Sequence, residues 1–325
     1  MNDTDALPTA ADIDAAAGRL AGHVRRTPLL ENRQLNERLG GRLLFKPEML
    51  QVTGSFKFRG ASNFLLQMDG ASRQRGVVAF SSGNHAQGVA AAAHLNDTPA
   101  VIVMPRDAPA VKREGTAAWG AEIVLYDREN EDREAIGRTL AEERGLTLIK
   151  PFDDPRIISG QGTLGLELAQ DADTELDAVL VPCGGGGLPS GVGLAIRARW
   201  PQAEIVIVEP AGFDDAGRSL ASGSLQRNDR ESGSICDALL ARSLGRQTLA
   251  VLQQVGARAL SIDDREVEEA MRTAFRHLKL VAEPGGAVAF AAALAGRYDV
   301  RDKTVGIVFS GGNVDPGQFA GILSG

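Results

Sequence analysis

Apolar residues recur along this chain with two spacings in alternation, one helical and one strand-like. Ile13, Ala16, Leu20 and Val24 repeat at helical intervals behind Thr9 and Asp12, a pair three apart that predicts a capping box. The short run Leu43-Leu44-Phe45 predicts a strand before Pro47. Ala61, Phe64, Leu65 and Met68 then form a helical stripe directly behind Thr53-Gly54-Ser55-Phe56-Lys57-Phe58-Arg59-Gly60, with Ser55 positioned to cap it. From there strands over 77–80, 100–104 and 122–126 alternate with helices over 86–95, 110–119 and 130–144.

Pro151 and Pro155 mark the return from this compact run, whose rhythm suggests a small domain. A helix over 157–169 follows, then strands over 178–181 and 204–208, with another helix between them. Residues 211–238, rich in Gly, Ser, Asp and Arg, predict the longest irregular segment. Asp263 with Glu266 caps a helix through Val267, Met271, Phe275 and Leu278, Glu283-Pro284-Gly285-Gly286 opens another, and 304–309 is the last strand. Such alternation predicts mainly parallel α/β sheets with ligands at the carboxyl ends of strands.

Composition adds mostly exclusions. At 43% hydrophobic and 24% charged the 325-residue chain is ordinary for a globular protein. A net charge of -7 leaves no basic face for nucleic acid or an anionic membrane, and no leader or membrane-length apolar run is present. Cys183 and Cys236 have neither metal-ligand nor disulfide-framework spacing, which fits a reducing cytoplasm. The 38 glycines gather in short loops, suggesting backbone that approaches a ligand closely.

Two of those loops carry chemistry. Lys57 sits between two phenylalanines at the positive end of a helix dipole, where an ammonium group loses its proton more easily and a Schiff-base lysine can form. A lysine that snorkels along apolar surface would read the same way. Gly184 to Gly187, between a strand and a helix, offer successive amides as an anion cup, or simply a tight turn. The GxxxxGK[ST] pattern is absent and GxGxxG with its acidic partner is not cleanly met. A phosphate cup with an activated lysine describes a pyridoxal 5′-phosphate site.

Together Ser55-Phe56-Lys57-Phe58-Arg59-Gly60-Ala61, Ser81-Ser82-Gly83-Asn84-His85, Gly184-Gly185-Gly186-Gly187-Leu188 and Ser310-Gly311-Gly312-Asn313 closely resemble the serine/threonine dehydratase and serine racemase family of fold type II, in order from about Arg26 to Asp315. The resemblance implies a two-domain α/β enzyme. A small substrate-closing domain of residues 76–147 would be inserted into a larger cofactor-binding one of 1–75 and 148–325. It implies that Lys57 bonds the cofactor and moves protons at the substrate Cα, and that Phe56 packs on the cofactor ring. Asn84 would bond the ring oxygen, Gly184 to Leu188 would hold the phosphate, and Ser310 would face the pyridine nitrogen. A serine there does not keep that nitrogen protonated, which favours loss of a β-substituent. Ser81, Ser82, Asn84 and His85 match the substrate-carboxylate loop, and Arg133 matches an arginine that swings in from the small domain. Ser82 also matches the residue on the face of Cα opposite the lysine, where a second base would permit racemisation.

Glu209, the Phe213 carbonyl and Asp215 resemble the divalent-cation site of serine racemases, an oxygen-only set suited to Mg²⁺, Ca²⁺ or Mn²⁺. Glu283 matches an acidic residue near the ring. The expected reaction is dehydration and deamination of a β-hydroxy amino acid of the threonine, serine or 3-hydroxyaspartate type. Serine or aspartate racemisation by Lys57 and Ser82 is the alternative, β-replacement fits the motifs less well, and a non-catalytic cofactor carrier is the alternative from another class. The resemblance also implies a cytoplasmic homodimer. With the chain ending at Gly325, no carboxy-terminal effector domain and no end-product feedback are expected.

Overall fold

The computed structural model describes residues 6–81, 83–108 and 110–325. A six-stranded sheet runs in the order β1 (Leu30–Glu31), β2 (Arg42–Pro47), β10 (Thr304–Phe309), β7 (Ala178–Pro182), β8 (Glu204–Pro210) and β9 (Arg258–Ile262). A four-stranded sheet runs β5 (Glu122–Tyr126), β4 (Ala100–Pro105), β3 (Val77–Phe80) and β6 (Thr147–Leu148). Every ladder is parallel except β1 with β2. The central strands β3, β4 and β7 are buried throughout, as parallel strands covered on both faces must be.

The first helices are α1 (Ala10–Leu20), α2 (Arg33–Leu39), α3 (Lys57–Leu66), α4 (Gly70–Arg75), α5 (Asn84–His94), α6 (Ala110–Ala117) and α7 (Arg133–Arg144). After them come α8 (Pro155–Asp171), α9 (Gly187–Arg199), α10 (Asp215–Ser222), α11 (Arg246–Gln254), α12 (Asp264–Thr273), α13 (Pro284–Leu294) and α14 (Pro316–Ser324). Helices α12 and α13 cover one face of the large sheet, where Phe45, Phe290 and Phe309 meet with ring centroids 5.3 to 5.9 Å apart. Residues of α1, α8 and α9 build the core on its other face. Apolar residues of α3 and α5 share a core with the small sheet. Among the described residues no helix is long and apolar enough to cross a membrane.

Thr9 and Asp12 form the expected capping box. Ser55 does not cap α3: it bridges to Gly311, its buried hydroxyl has no hydrogen-bond partner among the described residues, and Phe56 occupies the cap position. Phe275 does not turn inward either. A π-turn over Ala274–Leu278 ends α12 and carries its ring out against Phe319, leaving it 41% exposed. Within 211–238 the chain forms α10, and α11 and β9 follow where the sequence pattern marked no element. Helix α10 is too short for its apolar stripe to stand out in sequence; Glu209 fixes its start by accepting the amides of Ala216 and Gly217 at 2.9 and 2.8 Å.

Candidate active site

Lys57 opens α3, which packs between α5 and α8. Gly88 of α5 lets the two backbones touch, since a Cβ there would lie 3.0 Å from the Lys57 carbonyl carbon. The Lys57 Nζ donates to the carbonyl of Pro151 at 2.7 Å and lies 5.2 Å from the centre of the Phe56 ring. Phe58 instead turns into the core with Ala61 and Phe64, so the amine has one ring beside it rather than two. Burial, with no carboxylate to offset it, lowers the Lys57 pKa to about 8. A useful fraction of this amine is therefore neutral near physiological pH and can act as nucleophile or base.

Across the cavity, β7 runs out at Pro182 and α9 begins at Gly187. Gly184, Gly185, Gly186, Gly187 and Leu188 all line the cavity, and the helix N-terminus behind them favours an anion. The amides of Gly184, Gly185, Gly187 and Leu188 donate no backbone hydrogen bond among the described residues, which leaves them for a ligand. The Phe152 ring fills the space over Gly185, where a Cβ would come within 2.2 Å of it. These groups fit a phosphate opposite an amine.

The remaining walls fix polar groups in defined orientations. Asn84 begins α5, donates through Nδ2 to Glu283 at 2.6 Å and accepts from Asn313 at 2.8 Å. Its amide cannot flip, and one N–H is left to point at an oxygen in the cavity. Ser310, at the end of β10, lines the same space and accepts the Phe56 amide on its carbonyl at 3.0 Å. His85 donates from Nε2 to the Ile149 carbonyl at 3.1 Å; burial first, and then the charge of Lys57, hold its pKa down at about 3. It is a neutral ring that can accept through Nδ1. Ser81, whose hydroxyl accepts the Gly83 amide at 3.2 Å, and Arg133, at the start of α7, complete the wall. The Arg133 guanidinium donates no hydrogen bond among the described residues.

One cavity of about 210 Å³ thus collects Phe56, Lys57, Ser81, Asn84, His85, Arg133, Gly184 to Leu188 and Ser310. Ser82 lies outside the described residues. The Glu209, Phe213 and Asp215 set is separate from this cavity. There Glu209 is pushed up to about 8 by burial, against two backbone amides, and Asp215 to about 6 by burial, against its hydrogen bond with Asn228. Among the described residues the buried Asp215 Oδ2 has no hydrogen-bond partner, so the pair fits a cation as a counter-charge. Among the described residues no group of three or more His, Cys, Asp or Glu could hold a metal, so a metal here would need carbonyl or water ligands as well. The sequence did not point to Phe152, Asp153 or Thr248; nothing in their spacing carries a signal, because they reach the glycines only through tertiary packing.

The pyridoxal-phosphate dependent enzyme family matches residues 20–311. An L-threo-3-hydroxyaspartate ammonia-lyase from Saccharomyces cerevisiae is 44% identical over 98% of this chain and 97% of its own length. One from a Pseudomonas species is 45% identical over 97% and 98%. The structure of maize serine racemase superposes with a TM-score of 0.92 at 38% identity, covering 98% of both chains.

Proposed function

Because this chain belongs to the pyridoxal-phosphate dependent enzyme family, we propose that it is an ammonia-lyase converting a β-hydroxy amino acid, best of all 3-hydroxyaspartate, into a 2-oxo acid and ammonia. The observation that carries this reading is a half-buried amine without a carboxylate partner facing a cup of amides that, among the described residues, donate no backbone hydrogen bond, with the Arg133 guanidinium in the same wall. Residues 76–147 act as the closing domain on 1–75 and 148–325; the small sheet, drawn from Val77 to Leu148, supports that division to within one residue at its far end.

When bound, the cofactor supplies an aldehyde that condenses with amines and a conjugated ring that accepts the electron pair released at Cα. Phe56 would pack against that ring and Ser310 would face its nitrogen. Asn84 would hold the ring oxygen with its remaining N–H. The amides of Gly184 to Leu188 would hold the phosphate. Ser81 and His85 receive the substrate α-carboxylate, and Arg133 pairs with the second carboxylate that distinguishes 3-hydroxyaspartate from serine and threonine. Lys57 takes the Cα proton. The Cα–H and Cβ–OH bonds break with loss of water, and hydrolysis of the unsaturated amine returns a water and releases ammonia. Ammonia release from the four stereoisomers each of 3-hydroxyaspartate and threonine, and from both enantiomers of serine, tests the reading. We expect the highest kcat/KM with an L-3-hydroxyaspartate, and a clear preference for serine or threonine would overturn the assignment of Arg133.

The likeness to maize serine racemase favours a second activity, racemisation with Ser82 as the base opposite Lys57. Ser82→Ala should abolish racemisation while sparing elimination; equal loss of both refutes this division. We assign Glu209, Asp215 and the Phe213 carbonyl to Mg²⁺, Ca²⁺ or Mn²⁺, which would neutralise two buried carboxyls; indifference of thermal stability to chelator contradicts that. The protein is also taken as a cytoplasmic homodimer without nucleic-acid or membrane partners, consistent with 42 acidic against 35 Lys and Arg residues; a monomer on sedimentation contradicts it.

A further inference from the structure

An anion cup built of glycines has a weakness. Without side chains a Gly–Gly peptide can flip at little cost, and each flip replaces an N–H facing the anion with a carbonyl oxygen that repels it. Something outside the cup must hold its peptide planes. The Gly185 carbonyl accepts a hydrogen bond from the hydroxyl of Thr248 at 2.9 Å. Thr248 is fully buried in the first turn of α11, and its oxygen in turn accepts the amide of Gly245 at 2.9 Å. A hydroxyl has one proton. Its own Gly245 carbonyl lies farther off, at 3.1 Å, so donation to Gly185 is the shorter choice.

Three further contacts make this a built arrangement. Gly186, with φ +88°, turns so close that a Cβ would stand 2.9 Å from the Thr248 Oγ1. The Thr248 carbonyl accepts the buried Ser190 hydroxyl of α9 at 3.2 Å. Asp153 sits on the start of α11, accepting the amides of Gln247 at 2.9 Å and Thr248 at 3.4 Å. Asp153 also follows Pro151, which holds the Lys57 amine, and Phe152, which covers Gly185.

We propose that Thr248 is the positioning residue of the anion cup, its hydroxyl locking the Gly185 carbonyl outward so that the peptide cannot turn an oxygen toward a bound phosphate, with Asp153 holding Thr248 in place. The inference rests on the cup taking the cofactor phosphate. It does not depend on which reaction follows. In a trans peptide the Gly186 N–H points opposite to the locked carbonyl, on the side away from α11.

The test compares affinities of the cofactor-free protein for pyridoxal 5′-phosphate and for pyridoxal, which condenses with the same lysine but has no phosphate. Thr248→Val keeps the shape and removes the hydroxyl; Thr248→Ser keeps the hydroxyl. We expect the preference for the phosphorylated aldehyde to fall roughly tenfold in Thr248→Val, with pyridoxal affinity unchanged, and to be retained in Thr248→Ser. Thr248→Val with an unaltered preference, an equal fall in both variants, or an equal loss of both aldehydes would each overturn the proposal. A wild-type protein with no preference for the phosphorylated aldehyde would overturn the cup and the lock together. Failure of the elimination assay alone would leave this ratio untouched and count only against the reaction.

Discussion

Lys46 and Lys57 stand eleven positions apart in sequence; Lys46 is fully buried inside a cluster of charges, whereas Lys57 is half-buried in the cavity wall without a carboxylate beside it. Lys46, at the end of β2, is fully buried, donates to the Thr27 carbonyl at 2.7 Å and pairs with Glu167 at 2.7 Å. Glu167 also binds Arg59 at 2.6 Å, and Arg59 binds Glu48 at 2.7 Å, so every charge in the cluster has an opposite neighbour. Burial lowers the Lys46 pKa, but Glu167 and Glu48 oppose the shift. Among the described residues Lys57 donates only to a carbonyl, and burial lowers its pKa with no carboxylate opposing it. One arrangement keeps an ammonium as part of the framework; the other leaves an amine ready to react.

The comparison breaks first at Lys57 itself. Lys57→Ala should reduce elimination by more than about a thousandfold while the protein stays folded, because the nucleophile and the Cα base are lost together. Activity within tenfold of wild type would show that another base operates. Lys46→Met should leave cofactor binding intact yet lower unfolding free energy by about 2 kcal/mol, since Glu167 and the Thr27 carbonyl each lose a buried donor. Cofactor affinity falling with stability unchanged would reverse the two roles.

A smaller effect separates the lysines by pH. In cofactor-free protein Lys57 has a folded pKa of about 8, below the value of about 10.4 in an unfolded chain. Below pH 8 both states carry the proton and its burial destabilises the fold by a constant amount. Between the two values the unfolded state binds the proton and the native state does not, so stability rises with pH and the penalty fades. Against this background Lys57→Met should raise the melting temperature at pH 7, with the gain shrinking as pH climbs from 8 to above 10. A gain independent of pH would mean that packing, not charge, explains it.

Much of this was legible in the chain because the signals were local. Strands over Val77–Phe80, Glu122–Tyr126 and Thr304–Phe309 are short runs rich in Val, Ile and Phe, and they form where expected. The glycine run and Lys57 were legible for the same reason. What escaped depends on distant partners. Helix α10 starts where Glu209 receives its amides, and short β9 is held by its ladder with β8. Ser55 has a capping side chain at a plausible position, but its pairing with Gly311 overrides that local preference. Phe58 looked like a second ring beside the amine; consecutive helical side chains diverge, and it serves the core instead. The surroundings of Gly185, from Phe152 to Thr248, come from segments more than thirty residues away on either side, where no motif could announce them.

Borohydride reduction of the protein loaded with pyridoxal 5′-phosphate, followed by peptide mapping, addresses the contrast between the lysines most directly. The label is expected on Lys57, with Lys46 unmodified. A label on Lys46 or on any lysine other than Lys57, or no label in protein that has bound the cofactor, would contradict the central claim that unopposed burial makes Lys57 the reactive amine.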